Sequence, residues 1–123
     1  MEEYIRAVQY GEESLVLFQE IGHRWGLSTS LCRIGFACLG LGQISRAREH
    51  FNQAAELSEE DHMLPIKLYA AAGQACILAI DGDSQGALKL FQSLQDHPKA
   101  PKPFLKQALR WLKDIDQASL EVG

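Results

Sequence analysis

Cysteine is the residue type in this chain best suited to act as a nucleophile or to hold a soft metal ion. The three cysteines, Cys32, Cys38 and Cys76, form no Cys-x-x-Cys pair and fall within apolar helical patterns. Thiolate chemistry needs a partner thiol, a base or a metal at close spacing, and none is recognisable here. The pattern therefore predicts reduced, buried cysteines that serve as small core residues.

Histidine and aspartate offer two further sites of possible chemistry. The four histidines stand too far apart for the paired spacing of a zinc site: His23, His50, His62 and His97. The segment 81–84, Asp-Gly-Asp-Ser, resembles the start of a calcium loop, but Gly86 and Ala87 stand where later ligands are needed. A turn that joins two helices explains this segment better. The sequence thus predicts no catalytic residue, no metal and no cofactor.

Charge and hydropathy indicate the class of protein. The formal net charge of the 123-residue chain is −4, which gives no general reason to expect nucleic-acid binding. Glu2 and Glu3 follow Met1, where a secretory leader would carry basic residues. No apolar run is long enough for a membrane span. We expect a cytoplasmic protein that binds neither nucleic acid nor a membrane directly.

A period of forty residues organises the chain. Ala7, Ala47 and Ala87 share one register, and Gly11, Phe51 and Phe91 follow each of them by four residues. A fixed period of this size is typical of helical repeat arrays, in which each unit buries its apolar face only against its neighbours. Such arrays are more often scaffolds or binding modules than enzymes.

Apolar spacing predicts an all-α fold of about six antiparallel helices. Ser28 or Thr29 is placed to cap the second helix. The first helix has a stripe of apolar residues that we expect to face the core: Ile5, Val8, Leu15, Leu17, Phe18 and Ile21. The predicted helices cover residues 2–21, 27–41, 45–58, 64–80, 84–95 and 104–120.

Residues 28–61 resemble a tetratricopeptide repeat. The resemblance rests on Leu31, the pair Ile34-Gly35, Cys38, Gly42, and the triplet Ala47, Phe51 and Ala54. The next copy is weaker, since Gln74 and Ala75 replace the Leu-Gly pair. We expect the small residues Gly35, Ala47 and Ala54 to let paired helices approach closely, while Phe51 and Phe91 fill the space between repeats.

The resemblance implies an antiparallel helix-turn-helix superhelix with four parts. Residues 1–22 would be the second helix of a truncated repeat, 25–61 and 62–97 two repeats, and 101–121 a C-terminal capping helix. Nearly the whole chain, through residues 11–51 and 88–115, resembles the repeat tails of large bacterial signal-transduction ATPases, which are transcriptional regulators of the LuxR and antibiotic-regulator types. We therefore expect a fragment of a larger protein, whose sensor or scaffold part this chain forms.

The family pattern also assigns the residues of the concave inner face, formed by the first helix of each repeat. Phe36 and Tyr69 would anchor a helical or extended partner segment, with Arg33 and Lys113 at the edges. The alternative is that these residues are packed inside a tightly wound array. The implied partner-binding set is Thr29, Cys32, Arg33, Phe36, Leu39, Tyr69, Ala72, Cys76 and Lys113, with Gly73, Ala79, Leu109 and Leu112 beside them.

The resulting functional hypothesis is a non-catalytic scaffold that binds a protein or peptide on its inner face. One alternative is a structural self-association module, a homo-oligomer formed through exposed terminal helices. Another is an enzyme with an unrecognised site, for which no feature of the sequence argues. Trp25, placed in a link, either covers the seam beneath the second helix or is an exposed contact residue.

Overall fold

Five α-helices make up the part of the chain that the structure describes, residues 2–97 of a computed structural model. No strand occurs within these residues, so the all-α prediction is confirmed. The predicted helix 104–120, with Lys113, Leu109 and Leu112, lies outside the described residues. The helices are α1 (Glu2–Ile21), α2 (Arg24–Gly40), α3 (Ile44–Glu60), α4 (Leu64–Ile80) and α5 (Ser84–Gln95).

The same turn joins all five helices and recurs every twenty residues. A residue with positive φ follows each of the first four helices: Gly22 (70°), Gly42 (78°), His62 (54°) and Gly82 (100°). The next residue then donates its N–H to the carbonyl five positions earlier, as in the bond from Gln43 to Cys38 of 2.8 Å. This left-handed C-terminal motif satisfies carbonyls that the helix end would leave unpaired. The forty-residue period therefore consists of two similar twenty-residue halves.

The start of α2 differs from the prediction. The helix begins at Arg24, and His23 caps it, because its Nδ1 accepts the N–H of Gly26 at 2.9 Å. Ser28 is fully buried inside the helix and Thr29 donates its hydroxyl to the carbonyl of Trp25. The prediction that Ser28 or Thr29 caps α2 was wrong, because a histidine supplies the acceptor earlier in the chain.

Consecutive helices pack against each other, and α2 also contacts α4. The fully buried ring of Phe51 on α3 fills the space between α2 and α4. A Cβ atom at Gly35 would lie 2.8 Å from this ring, and one at Gly73 would overlap it. The sequence predicted the role of Gly35 but not that of Gly73. Gly73 lets α4 approach the ring of Phe51 closely, as Gly35 does for α2.

Ion pairs on the surface connect successive elements. Arg24 pairs with Asp61 and Glu60 at the two ends of the α2–α3 unit, and Arg46 on α3 pairs with Glu12 on α1. Arg48 reaches Asp81 at 2.7 Å, in the turn after α4. These groups are exposed, so each pair adds little free energy on its own. Their contribution is to fix how one helix is set against the next.

Candidate functional site

The accessible part of the predicted inner face is a strip along α2. Trp25, Thr29, Arg33 and Phe36 follow one another at spacings of three and four residues, which places them on one side of the helix. Arg33 is exposed, Thr29 and Phe36 are half-buried, and Trp25 is 49% exposed. Trp25 belongs to the first turn of α2 rather than to a link, and its exposure agrees with the second of the two alternatives, while its role as a contact residue stays a prediction.

Four other predicted contact residues are part of the hydrophobic core. Cys32 and Ala72 have no exposed surface, Cys76 has 2% and Leu39 has 8%. Gly73 and Ala79 are buried as well. The helices α2 and α4 pack directly against each other, and these residues belong to the core between the helices. A partner reaches them only if the helices separate.

The two predicted anchors belong to an aromatic cluster. The Phe36 ring meets the Phe51 ring edge-on, with centroids 4.7 Å apart, and meets the Tyr69 ring at 5.5 Å in a similar geometry. Burial raises the pKa of the Tyr69 hydroxyl. Edge-to-face contacts of this kind stabilise packing beyond the area that they bury. Phe36 and Tyr69 therefore help to join α2, α3 and α4, and a substitution at either position tests the fold as much as binding.

The three thiols have the buried, unlinked character that the sequence predicts. Each is a free cysteine with an exposed fraction of 2% or less. Burial raises the pKa of Cys32 and of Cys76 to about 12, and it also raises the pKa of Cys38. A thiol with so high a pKa is protonated at neutral pH and is a poor nucleophile and a poor metal ligand.

Helix α1 exposes an extensive apolar surface. Its large exposed apolar side chains are Tyr4 (44%), Ile5 (45%), Tyr10 (70%), Val16 (53%), Leu17 (60%) and Ile21 (70%). The prediction that Ile5, Leu17 and Ile21 face the core was wrong. Among the described helices α1 packs closely only against α2, which covers Val8 and Gly11 and leaves the other sides of α1 uncovered.

A groove lies on another side of α2, between α1 and α3. Its apolar residues are Leu15, Leu27, Leu31 and Leu57, and its polar residues include His50. In the described range no group of three or more histidines, cysteines or acidic residues is arranged to hold a metal ion. None of the five described helices is both long and apolar enough to cross a membrane.

Comparison of the chain with protein-family models, with curated proteins and with solved structures gave no significant match. Three surfaces are accessible in the described residues: the α2 strip of the inner face, the groove between α1 and α3, and the apolar surface of α1.

Proposed function

We propose that this chain is a non-catalytic protein-interaction scaffold of the tetratricopeptide type, the cytoplasmic sensor or regulatory tail of a larger regulator. The observation that supports this most directly is the apolar surface of α1, which is much larger than that of any other described helix. Apolar patches of this extent on a folded protein are typical of surfaces that bind another protein.

The inner face is the proposed surface for a protein or peptide partner. Arg33 supplies an exposed cation, Thr29 a hydroxyl, and Trp25 an apolar contact at one end of the α2 strip. This combination suits a segment that carries an acidic residue opposite Arg33 and an apolar residue opposite Trp25. Phe36 and Tyr69 would form the partly covered floor.

The inner-face proposal is tested with peptides selected by display against the immobilised chain. We expect the charge reversal Arg33→Glu to weaken the selected peptides about tenfold or more, because it removes a favourable ion pair and adds repulsion. The matched control is Lys89→Glu, the same reversal on the exposed surface of α5. Fluorescence polarisation gives the two dissociation constants.

Equal binding by both variants would place the peptide site elsewhere and contradict the assignment to the inner face. Recovery of no binding peptide at all would contradict the peptide-scaffold function. Arg33 is exposed and makes no ion pair in the described part of the chain, so its reversal leaves packing intact. Circular dichroism checks that both variants remain folded.

Self-association is the second candidate function, and the exposure of α1 favours it. The unmatched apolar side chains are concentrated on the first described helix of the array rather than distributed over all five. In a repeat array, an uncovered apolar surface of this kind is where a further unit stacks. A second copy of the chain is one source of that unit.

A further inference from the structure

One line of residues on α1 has the spacing of a helix-pairing surface. Ala7, Tyr10, Ser14, Leu17 and Ile21 succeed one another at intervals of three and four residues, and we call them the α1 seam. Tyr10, Leu17 and Ile21 are 60–70% exposed. This 3–4 alternation is the spacing by which two α-helices pack along their length. The seam is distinct from Val8 and Gly11, which face α2.

The internal repeat shows what covers the corresponding residues elsewhere. Forty residues after the first four seam residues come Ala47, His50, Ala54 and Leu57 of α3. Ala47 and Ala54 have no exposed surface, and His50 and Leu57 are half-buried. In α3 this side is thus covered by neighbouring helices, whereas in α1 every seam residue except the half-buried Ser14 is exposed. The equivalence indicates that the seam is a surface made for another helix.

We propose that the α1 seam binds α1 of a second copy of this chain in antiparallel orientation, forming a symmetric dimer. The inference deepens the proposed role as an interaction scaffold and rests on it. A two-fold axis makes the same surface serve both partners, so the seam must be complementary to itself.

Side-chain size makes the seam complementary to itself in one antiparallel register. When Tyr10 faces the partner's Ser14, Leu17 faces the partner's Ala7, and symmetry repeats both pairs. These four layers each combine one large and one small residue, which lets facing helices interdigitate, and Ile21 lies opposite the partner's Glu3 at each end of the seam. Large residues would face each other in a parallel arrangement, with Tyr10 against the partner's Tyr10 and Leu17 against the partner's Leu17.

Charge supports the same orientation. Arg6 and Glu20 flank the seam on one side, both are exposed, and neither forms an ion pair within the described residues. The antiparallel register brings Arg6 beside the partner's Glu20 twice. A parallel register would instead bring together the acidic starts of the two helices, at Glu2 and Glu3. The symmetric dimer places Glu13 near the partner's Glu13, a repulsion that keeps the association weak and reversible.

The contact of two single helices is small by the standard of protein interfaces, so we expect dissociation over an accessible concentration range. Sedimentation equilibrium of the full chain measures it. The wild type should change from monomer to dimer with concentration, and Leu17→Lys should raise the dissociation constant about tenfold or more, because it puts a charge into the seam.

Val16→Lys is the matched control for Leu17→Lys. Val16 is the adjacent residue, it is exposed to a similar extent at 53%, and it lies off the seam. Its substitution should leave the dissociation constant unchanged. A wild type that stays monomeric at all concentrations overturns the proposal, as does an equal loss of dimer in both variants. Circular dichroism verifies that the helices persist in each.

A charge exchange tests the orientation separately. Arg6→Glu and Glu20→Lys should each weaken the dimer, and the double variant should restore it. The two residues are about 21 Å apart along one helix, so they cannot compensate each other within one chain. Failure of the double variant to restore the dimer overturns the antiparallel register.

Different experimental results would contradict the dimer and the scaffold function. A monomeric wild type that still binds selected peptides, with binding reduced by Arg33→Glu, overturns the dimer and leaves the scaffold function intact. A monomeric wild type whose seam binds a helical peptide, with binding lost in Leu17→Lys, means that the seam takes a different helix and also overturns the dimer.

Discussion

The hydroxyl of Ser28 shows how a single residue limits the stability of this fold. Its side chain is fully buried in α2, and its Oγ has no hydrogen-bond partner among the described residues. A buried polar group that lost its bonds to water without replacing them costs about 1–3 kcal/mol.

We expect Ser28→Ala to raise the free energy of unfolding by about 1 kcal/mol, because it removes the unpaired hydroxyl and little volume. Urea denaturation followed by circular dichroism measures the change. The matched control is Ser58→Ala, since Ser58 is equally buried but donates its hydroxyl to the carbonyl of Ala55 at 2.9 Å. A stability gain in the control that equals the gain at Ser28 would show that the unpaired hydroxyl is not the cause.

At the scale of the helices, His62 is the exception in an otherwise uniform set of turns. Gly22, Gly42 and Gly82 occupy the equivalent left-handed position, where a side chain costs about 1 kcal/mol or more. His62 adopts φ of 54° at that position and is exposed. The turn between α3 and α4 is therefore the strained one of the four.

We expect His62→Gly to stabilise the protein by about 1 kcal/mol, because glycine removes the strain in the left-handed conformation. Gly42→Ala is the opposite change in the equivalent turn. The new Cβ would meet no atom within 4 Å, so only the backbone conformation is altered, and the melting temperature should fall. Thermal unfolding of both variants checks the prediction, and a lower melting temperature for His62→Gly would contradict it.

The helices themselves could be predicted from the sequence, and the reasons for the errors lie in particular residues. Apolar spacing located all five described helices, although α2 and α4 are buried on several sides. The twenty-residue turn period was hidden by His62, since glycine is the usual signal for the left-handed position. The cap of α2 was missed because serine is a common N-cap residue and histidine is not. His23 caps the helix only because its Nδ1 is oriented to accept the N–H of Gly26.

The candidate site was predicted less well than the fold. A family pattern gives the side of the helix on which a residue lies, but not the depth to which the next helix covers it. Cys32, Ala72 and Cys76 are on the predicted side and are buried in the core between the helices. Periodicity likewise marked Leu17 and Ile21 as core residues, because a pattern of apolar residues does not show which neighbouring helix is present.

At the scale of the whole molecule, buried thiols make the free energy of unfolding depend on pH in the alkaline range. The pKa of Cys32 and of Cys76 is about 12 in the folded protein, against an ordinary value of 9.0 that applies after unfolding. Between these values the unfolded chain has released the protons that the folded chain retains. The free energy of unfolding must therefore fall as the pH rises through this window, and it is unaffected by these groups below about pH 8.

We expect the double variant Cys32→Ala, Cys76→Ala to lose much of this alkaline dependence, because it no longer holds the two high-pKa thiols. Urea denaturation near neutral pH and near about pH 10 gives the slope for wild type and variant. The comparison uses the change with pH within each protein, so a general loss of stability from the smaller side chains does not affect it. Equal slopes would show that other groups govern the alkaline behaviour.

The short turns between consecutive helices also limit the sequence separation between contacting residues. Because a helix lies mainly against the one before it and the one after it, contacting residues are separated by only a few tens of positions. Short separations keep the entropy of loop closure low, and chains built in this way fold quickly from any adjacent pair of helices. Among the described helices α1 contacts only α2, so it can detach without opening α2, α3 and α4, and hydrogen exchange should be faster in α1 than in those three helices.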